Sequence, residues 1–313
     1  LASNADQMPL LQPIPEADQL IWYSERSGWG HLYLYDLKSG DLVNEITRGG
    51  WLVKNVIHFD CSSRQLFIQT SNRATDKDPY LHDLARVSID TGEINTLCSE
   101  DRDCWVFSHR NHNARFISMI RDVHPEACSV SPNGDYSIVT LSRIDDIPET
   151  FLVNKFGSYV MPLETADVSE FNKIFDVDWQ RPEPVTMISA DESTDIYGVI
   201  YRPSDFTTDK SYPVIDLMIC LPDFPGVPKG SFNTGTLLDW PFLSAMALAE
   251  LGFIVVQIDG RGVSGRSKAF QDESYGRTYF SNNIHDHVAG IRQLCERYSY
   301  MDIDRVGIST HIT

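Results

Sequence analysis

Short runs of apolar and β-branched residues, separated by turn residues, fill the first 165 positions of the chain. Leu20–Ser24, His31–Tyr35 and Gln65–Ile68 are such runs, and no helical periodicity of any length interrupts the series. Short apolar runs bounded by Gly, Asp, Asn or Ser predict β-strands. This half of the chain is therefore predicted to be entirely β.

Two stretches of this half resemble each other. Leu32–Asp41 and Leu84–Glu93 each read as a strand, an acidic turn with Gly, and the start of a new strand. They lie roughly 50 residues apart, a repeat distance that suits the four-stranded blade of a propeller. Ser131–Thr140 is a turn and strand of the kind that opens a blade. A β-sandwich is the alternative, and the repeat length favours the propeller.

After about residue 165 the pattern changes to longer apolar runs that alternate with helical segments. Tyr212–Cys220 and Phe253–Asp259 are near-continuous apolar runs, typical of strands covered on both faces, and Arg305–Ile308 starts a third buried strand. Pro241–Leu251 predicts a helix that Gly252 ends. Strands that alternate with helices predict a doubly wound, mostly parallel sheet.

A second helix is predicted over Asn283–Tyr298, because its apolar residues recur at helical spacing. We expect its buried face to consist of Ile284, Val288, Ile291 and Leu294 or Cys295. His285, Asp286 and His287 open this helix. A negative side chain suits the positive end of the helix dipole, so a capping or first-turn role for Asp286 is favoured over catalysis.

The net charge of the chain limits the kinds of molecule that it can be expected to bind. The 313 residues include 26 Lys and Arg against 44 Asp and Glu, a formal net charge of −18. So acidic a surface argues against nucleic acid, whose phosphates need Lys and Arg, and against anionic membrane surfaces. No apolar run is long enough to span a bilayer, and no signal peptide is recognisable after Leu1. The compartment is left open.

Cysteine and histidine positions do not predict a metal site. None of the six cysteines forms a CxxC pair, so zinc is not expected. The thiols expected to be buried are Cys220 and Cys295, and the candidates for a disulfide in an exported protein are Cys98, Cys104 and Cys128. The histidines of a predicted inserted loop are His109, His112 and His124. Surface-loop histidines are favoured over metal ligands there, and no cofactor is predicted.

Three groups of residues in the second half resemble the prolyl oligopeptidase family. They are Asp259–Gly262 with Ser264–Arg266 and Tyr275–Gly276; Ile291–Leu294 with Arg297–Tyr298 and Asp302–Ile308; and Ile200–Pro203 with Tyr212–Asp216. Each group is short, but their order and spacing are specific. Because Ser24–Trp29 stands before the Tyr-rich strand, the resemblance is closest to the dipeptidyl peptidase IV branch.

The resemblance implies a domain plan and an activity. Residues 1–165 are then the C-terminal blades of a β-propeller, 166–190 a connector, and 191–313 the N-terminal half of an α/β-hydrolase domain. The implied activity is that of a serine peptidase that removes dipeptides from peptides with Pro or Ala in second place. Peptides or proteins are the implied partners, and family members commonly form homodimers.

The resemblance also implies where the catalytic groups belong. A hydrolase of this kind needs a Ser on a sharp strand-to-helix turn, followed in the chain by its Asp and His. Against the family pattern, Thr310 stands at the first Gly of this turn and Ile312 at the nucleophile. Ile has no nucleophilic atom, and no residues after Thr313 supply the Asp and His. The chain as given is therefore predicted to be inactive.

Ser309 is a near miss of the nucleophile motif. Gly307–His311 approaches the pattern G-x-S-x-G, but its Ser lies two positions too early, inside a strand or at its end. A structural Ser is the favoured interpretation.

Ile219 stands where the family places the Tyr that donates a hydrogen bond to the oxyanion, and Leu221 stands at the following Gly. The loss of such a donor usually costs roughly 3 kcal/mol of transition-state stabilisation. Because Ile219 lies well inside the chain, this departure suggests a divergent relative.

Arg261 is the remaining polar candidate for substrate binding, in the cleft that the resemblance places between the two domains. A structural Arg paired with Asp259 or a neighbouring carboxylate is the alternative, and it is favoured because such ion pairs are often structural. Three functions stay open: a dipeptidyl peptidase by descent, a non-catalytic binding protein on the same fold, and a chain that aggregates through unpaired sheet edges.

Overall fold

The chain divides into two compact units. A computed structural model describes residues 11–74, 77–107, 128–175, 180–219, 225–231, 240–275 and 283–311. The first unit consists of Leu1–Ser142, Glu149–Thr165 and Gly265–Ala269. The second consists of Arg143–Pro148, Ala166–Ser264 and Phe270–Thr313.

The first unit contains three four-stranded antiparallel sheets. The first sheet joins β1 (Leu11–Ile14), β2 (Gln19–Ser24), β3 (His31–Asp36) and β4 (Leu42–Glu45), with a single 3-10 turn at Pro15–Ala17. The second joins β5 (Leu52–Asp60), β6 (Gln65–Ser71), β7 (His82–Ser88) and β8 (Ile94–Cys98). The third joins β9 (Asp103–Trp105), β10 (Tyr136–Ser142), β11 (Glu149–Asn154) and β12 (Tyr159–Thr165).

Each of these sheets is an up-and-down meander in which every strand pairs with the next one along the chain. Alternating side chains of the second sheet face in opposite directions. Leu66 and Ile68 pack with the first sheet, whereas Phe67, between them, packs with the third. Sheets stacked face to face in this way, each of four strands, are the arrangement that the sequence repeat predicts for propeller blades.

The cysteines of the described residues are free thiols. Cys98 and Cys104 are buried in the core shared by the second and third sheets, where burial and the neighbouring Cys98 thiol raise the pKa of Cys104. Cys128 is half-buried and also free, so the disulfide considered for these three residues is not formed in the structure. Cys295 is a half-buried thiol, and Cys220 lies outside the described residues.

The second unit is built on a five-stranded sheet with the order β13-β14-β16-β15-β17. Its strands are β13 (Glu183–Ile188), β14 (Asp195–Tyr201), β15 (Tyr212–Ile219), β16 (Ile254–Asp259) and β17 (Met301–His311). β15 runs parallel to β16 and β17, while β13, β14 and β16 pair antiparallel. β13 lies within residues 166–190, the predicted connector, so the sheet takes in the end of that segment.

The described helices are α1 (Val168–Phe175), α2 (Trp240–Glu250), α3 (Lys268–Asp272) and α4 (Asn283–Arg297). Two of them, α2 and α4, cover opposite faces of this sheet. Phe242 and Ala245 of α2 pack against one face, and Ile291 and Leu294 of α4 pack against the other. Helices on both faces make the sheet doubly wound, as the alternation of apolar runs predicts. Gly252 ends α2 in a left-handed conformation, φ 94°, as expected.

The buried face of α4 differs from the prediction. Ile291 and Leu294 are buried, but Ile284 is 39% exposed and Val288 is 43% exposed. Asn283, Asp286 and His287 occupy the buried face of the first turns instead. The reason is local: this end of the helix faces polar groups of the sheet and its loops, which pair with Asp286 and His287.

The last strand is also less covered than predicted. The run Arg305–Ile308 was expected to start a buried strand, yet Val306 is 39% exposed and Ile308 is 59% exposed. Of the strands described, only β15 pairs with β17, which places β17 at one edge of the sheet. An edge strand leaves one row of backbone groups and part of its side chains uncovered.

Candidate functional site

The carboxyl ends of β15 and β17 lie side by side. The register of the two parallel strands pairs Leu217 with Ser309 and Ile219 with His311, the last residue of each strand. Ser309 is therefore part of the extended strand, as expected. Ile312, the next residue in the sequence, lies outside the described residues. Carboxyl ends of parallel strands are where doubly wound sheets bind their ligands.

Arg261, two residues beyond β16, is held by two carboxylates. Its Nε and Nη2 lie 3.0 and 2.9 Å from the carboxylate oxygens of Asp286, and its Nη1 lies 3.0 Å from Asp191 Oδ2. The Arg261 backbone N–H also donates to Asp286, at 2.7 Å, as does the N–H of Ala190 at 2.9 Å. The Asp286 side chain is fully buried. The hydrogen bonds to Asp286 raise the pKa of Arg261.

Asp191 lies in the turn between β13 and β14 and orders it. Ser189 and Thr194 donate hydroxyl hydrogen bonds to this carboxylate, and the backbone N–H groups of Ser193 and Thr194 donate as well. Desolvation opposes ionisation here, but these hydrogen bonds outweigh it and hold the pKa of Asp191 far below its usual range. Asp191 is thus a fixed anion beside the Arg261 guanidinium.

Asp259 ends β16 and does not pair with Arg261. Its Oδ1 accepts hydrogen bonds from the backbone N–H groups of Gly226 and Val227, at 2.6 and 3.1 Å. Gly260 follows, and a Cβ at this position would lie 2.0 Å from Asn283 Oδ1. A larger residue at this position would require the Asn283 side chain to move, and its Cβ would lie 3.1 Å from Asp286 Cβ. The three successive residues Asp259, Gly260 and Arg261 thus contact the loop at Gly226, the helix α4 and the turn between β13 and β14.

A buried carboxylate–imidazole pair joins β15 to α4. Nδ1 of His287 lies 2.9 and 2.8 Å from the two carboxylate oxygens of Asp216. The exposed fractions of the two side chains are 3% for His287 and 2% for Asp216. Asp216 interrupts an apolar strand, and His287 sits on a helix next to the capping Asp; no spacing rule connects positions 71 residues apart. Sequence reasoning therefore missed the pair.

The pair supplies the carboxylate and the imidazole of a serine-hydrolase triad, whose third member is a nucleophilic hydroxyl. A carboxylate on Nδ1 fixes the tautomer and orientation of an imidazole, as in serine hydrolases. Among the described residues, however, Asp216 is the sole hydrogen-bond partner of the His287 ring. The described residues place no hydroxyl in hydrogen-bond contact with the ring, and the Asp216–His287 contact links α4 to the sheet.

A second polar cluster lies at the opposite, amino edge of the parallel strands. The Glu183 carboxylate accepts hydrogen bonds from the Tyr298 hydroxyl and from the Arg202 guanidinium, which also donates to the Tyr300 hydroxyl. The guanidinium lies 5.3 Å from the centre of the Phe206 ring. Partial burial opposes ionisation of Glu183, but the Tyr298 and Arg202 hydrogen bonds outweigh it and lower the pKa of Glu183.

The lowered pKa of Glu183 predicts a loss of stability in acid. The pKa of Glu183 is lower in the folded chain than in the unfolded chain, where it is about 4.3. Ionised Glu183 therefore stabilises the fold fully at a pH above about 4.3, and this stabilisation is lost as the pH falls through the folded-state pKa. The free energy of unfolding should therefore be lower for Glu183→Gln than for wild type at pH 6, and the difference should shrink towards pH 3. Urea unfolding across this range checks the prediction.

The exposed Glu296 on α4 provides the control for this experiment. Glu296→Gln should leave the free energy of unfolding within about 0.5 kcal/mol of wild type at every pH. A constant difference between Glu183→Gln and wild type from pH 6 to pH 3 would contradict the assignment.

The described parts of the chain hold no group of three or more His, Cys, Asp or Glu side chains that could bind a metal ion. His109, His112 and His124 lie outside the described residues. None of the described helices is long and apolar enough to cross a membrane.

Comparison with known proteins gives a consistent picture. Residues 4–147 match a family model described as the dipeptidyl peptidase IV N-terminal region, and residues 240–309 match the model of the prolyl oligopeptidase family. Human dipeptidyl peptidase 8 is 30% identical over 322 aligned residues, which cover 94% of this chain and 32% of that protein. The mouse dipeptidyl peptidase 8 is 30% identical over 131 residues, covering 42% of this chain and 14% of that protein.

A solved structure gives the same result for the fold. The crystal structure of dipeptidyl peptidase 4 from Porphyromonas gingivalis superposes with a TM-score of 0.68 at 20% identity, covering 96% of this chain and 37% of that one. The predicted fold class, propeller blades followed by an α/β-hydrolase sheet, is thereby confirmed. The chain spans about a third of the length of these relatives, apart from the shorter match to the mouse protein.

Proposed function

Because the chain belongs to the prolyl oligopeptidase family, in its dipeptidyl peptidase IV-like branch, we propose that it keeps the peptide-binding scaffold of these enzymes without their hydrolytic chemistry. The observation that carries the proposal is the pair of Ile residues at the two family positions that perform the chemistry. Ile219 stands at the oxyanion donor and Ile312 at the nucleophile.

The register of the sheet supports this placement. Ile219 and His311 are paired at the ends of adjacent parallel strands, and Ile312 is the next residue in the sequence. In a hydrolase of this fold, the nucleophile and a donor to the oxyanion meet at the ends of such strands. An Ile side chain can neither form an acyl intermediate nor donate a hydrogen bond.

The polar groups near this edge are engaged in holding the fold. Arg261, the candidate for substrate binding, is bound by Asp286 and Asp191, with 13% of its side chain exposed. His287 is bound by Asp216. The proposed role of Arg261 is therefore to position the loop after β16, while peptides or proteins are the proposed partners of the scaffold and a homodimer its proposed assembly.

An active serine dipeptidyl peptidase that acts on N termini with Pro or Ala in second place is the second candidate. The names of the relatives favour it, since the curated and solved proteins above are dipeptidyl peptidases. The two candidates differ in whether a bound peptide is cleaved.

Hydrolysis of a Gly-Pro reporter by the purified full-length protein separates the candidates. We expect no hydrolysis above the buffer blank, because removal of a serine nucleophile alone lowers kcat on the order of 10⁶-fold in a serine protease. In parallel, calorimetry with a peptide that carries Pro in second place should show binding without cleavage. Turnover of the reporter would establish the second candidate, and absence of binding would contradict the proposed scaffold role.

A further inference from the structure

A small cavity lies at the carboxyl end of β16, among the side chains that link the sheet to α4. Its volume is about 10 Å³, and its polar lining includes Gln257, Asp259, Asn283 and His287. We propose that this cavity is a binding site for one water molecule, held chiefly by Gln257 and His287. The site is independent of the proposed function, since no step of peptide binding or cleavage depends on it.

Gln257 is the main reason for the proposal. Its side chain is 1% exposed, in the middle of a strand that is otherwise apolar up to Asp259. Neither the Oε1 nor the Nε2 of Gln257 has a hydrogen-bond partner among the described residues. Burying an amide without partners is costly, so native proteins satisfy such groups with protein atoms or with ordered water.

His287 supplies the second polar group. Its Nδ1 is bound by Asp216, which leaves Nε2 as the ring nitrogen that can bond to an occupant of the cavity. His287 and Gln257 both line the cavity. Because the Asp216 carboxylate accepts from Nδ1, the proton of the neutral ring is on Nδ1, and Nε2 is an acceptor. A water molecule can therefore donate one hydrogen bond to Nε2 and form another with the Gln257 amide.

The size and polarity of the cavity restrict its occupant. A cavity volume of about 10 Å³ is close to the space that one water molecule needs, and a buried water needs two to four polar partners. Leu217, Ile258 and Val263 form the apolar part of the wall. An organic ligand does not fit, and a bare cation would need several oxygen ligands at shorter distances than water does.

A high-resolution crystal structure of the full-length protein tests the proposal. We expect an electron-density peak at about 2.7–3.2 Å from a Gln257 side-chain atom and from His287 Nε2. An empty cavity with the Gln257 amide turned onto a protein partner would overturn the proposal. A peak with contacts of about 2.3–2.6 Å would also overturn it, because such distances indicate a cation.

Gln257→Leu gives a second readout that does not need a crystal. The substitution removes both polar atoms at similar volume, so the buried water should be lost. Magnetic relaxation dispersion of the water signal should then count one long-lived internal water fewer than in wild type. As the matched control, Leu217→Met changes the apolar wall and should keep the count. An unchanged count in Gln257→Leu would contradict the site.

Discussion

Replacing His287 with Ala is expected to lower the free energy of unfolding by about 3–5 kcal/mol, because it leaves the Asp216 carboxylate buried without its partner. The carboxylate is 2% exposed and makes both of its side-chain contacts with His287 Nδ1. Urea unfolding of wild type and variant at pH 7 measures the loss.

Three variants separate the pair from a general effect on the helix. His285 is exposed on the same turn of α4, so His285→Ala should change the free energy of unfolding by about 0.5 kcal/mol or less. Asp216→Asn keeps an acceptor for Nδ1 and should cost less than His287→Ala. The double variant Asp216→Leu with His287→Leu should recover most of the loss, because apolar replacements of a buried pair are often neutral. Equal losses in His285→Ala and His287→Ala would contradict the account.

Replacing Arg261 with Ala should destabilise the second unit by a similar amount, about 3–5 kcal/mol. The change removes the bidentate partner of the fully buried Asp286 and the ion pair with Asp191. Asp286 then keeps only backbone donors, from Arg261 and Ala190. The loop after β16, the turn between β13 and β14, and the first turn of α4 all lose a shared contact. Denaturant unfolding followed by tryptophan fluorescence measures the effect.

Arg261→Lys and Arg292→Ala complete this experiment. Lys keeps the positive charge but cannot form the planar, two-pronged contact with Asp286, so Arg261→Lys should fall between wild type and Arg261→Ala. Arg292 is exposed on α4, and Arg292→Ala should stay within about 0.5 kcal/mol of wild type. If Arg261→Ala is as stable as Arg292→Ala, Arg261 does not hold the fold and its role in substrate binding must be reconsidered.

The regular elements could be predicted from the sequence because their signals are local. Short apolar runs bounded by turn residues predict the blade strands to within a few residues, as for His31–Asp36. The continuous run that forms β16 predicts a strand covered on both faces, and all six of its residues are buried. The helix α2 and its end at Gly252 follow from composition and one Gly.

The polar contacts of the candidate site could not be predicted, because they depend on where distant segments meet. Helical periodicity assigns Ile284 and Val288 to the core, yet that part of α4 faces Asp216, Arg261 and the turn around Ala190. There Asp286 binds Arg261 of the loop after β16, and His287 binds Asp216 of β15. The spacing of apolar residues along a helix carries no information about whether the neighbouring strands and loops are polar.

The exposed β17 shows a second limit. The apolar residues Val306 and Ile308 alternate with other residues, and this pattern predicts a strand that buries an apolar face. In the structure both side chains are exposed. In the described residues only one neighbour, β15, pairs with β17. The local pattern thus predicted the strand correctly, whereas its degree of burial depends on the segments around it.

The reaction of the full-length protein with a fluorophosphonate, followed by intact-mass measurement, tests most directly whether this sequence carries a hydrolytic serine. Fluorophosphonates modify an activated serine hydroxyl stoichiometrically, and a second sample treated after denaturation gives the background of unactivated serines. The account predicts an unmodified mass, because Ile312 and Ile219 stand where the hydroxyl and its oxyanion donor are needed. One adduct per chain on native protein, mapped by peptide analysis to Ser309 or another serine of this sequence, would contradict it.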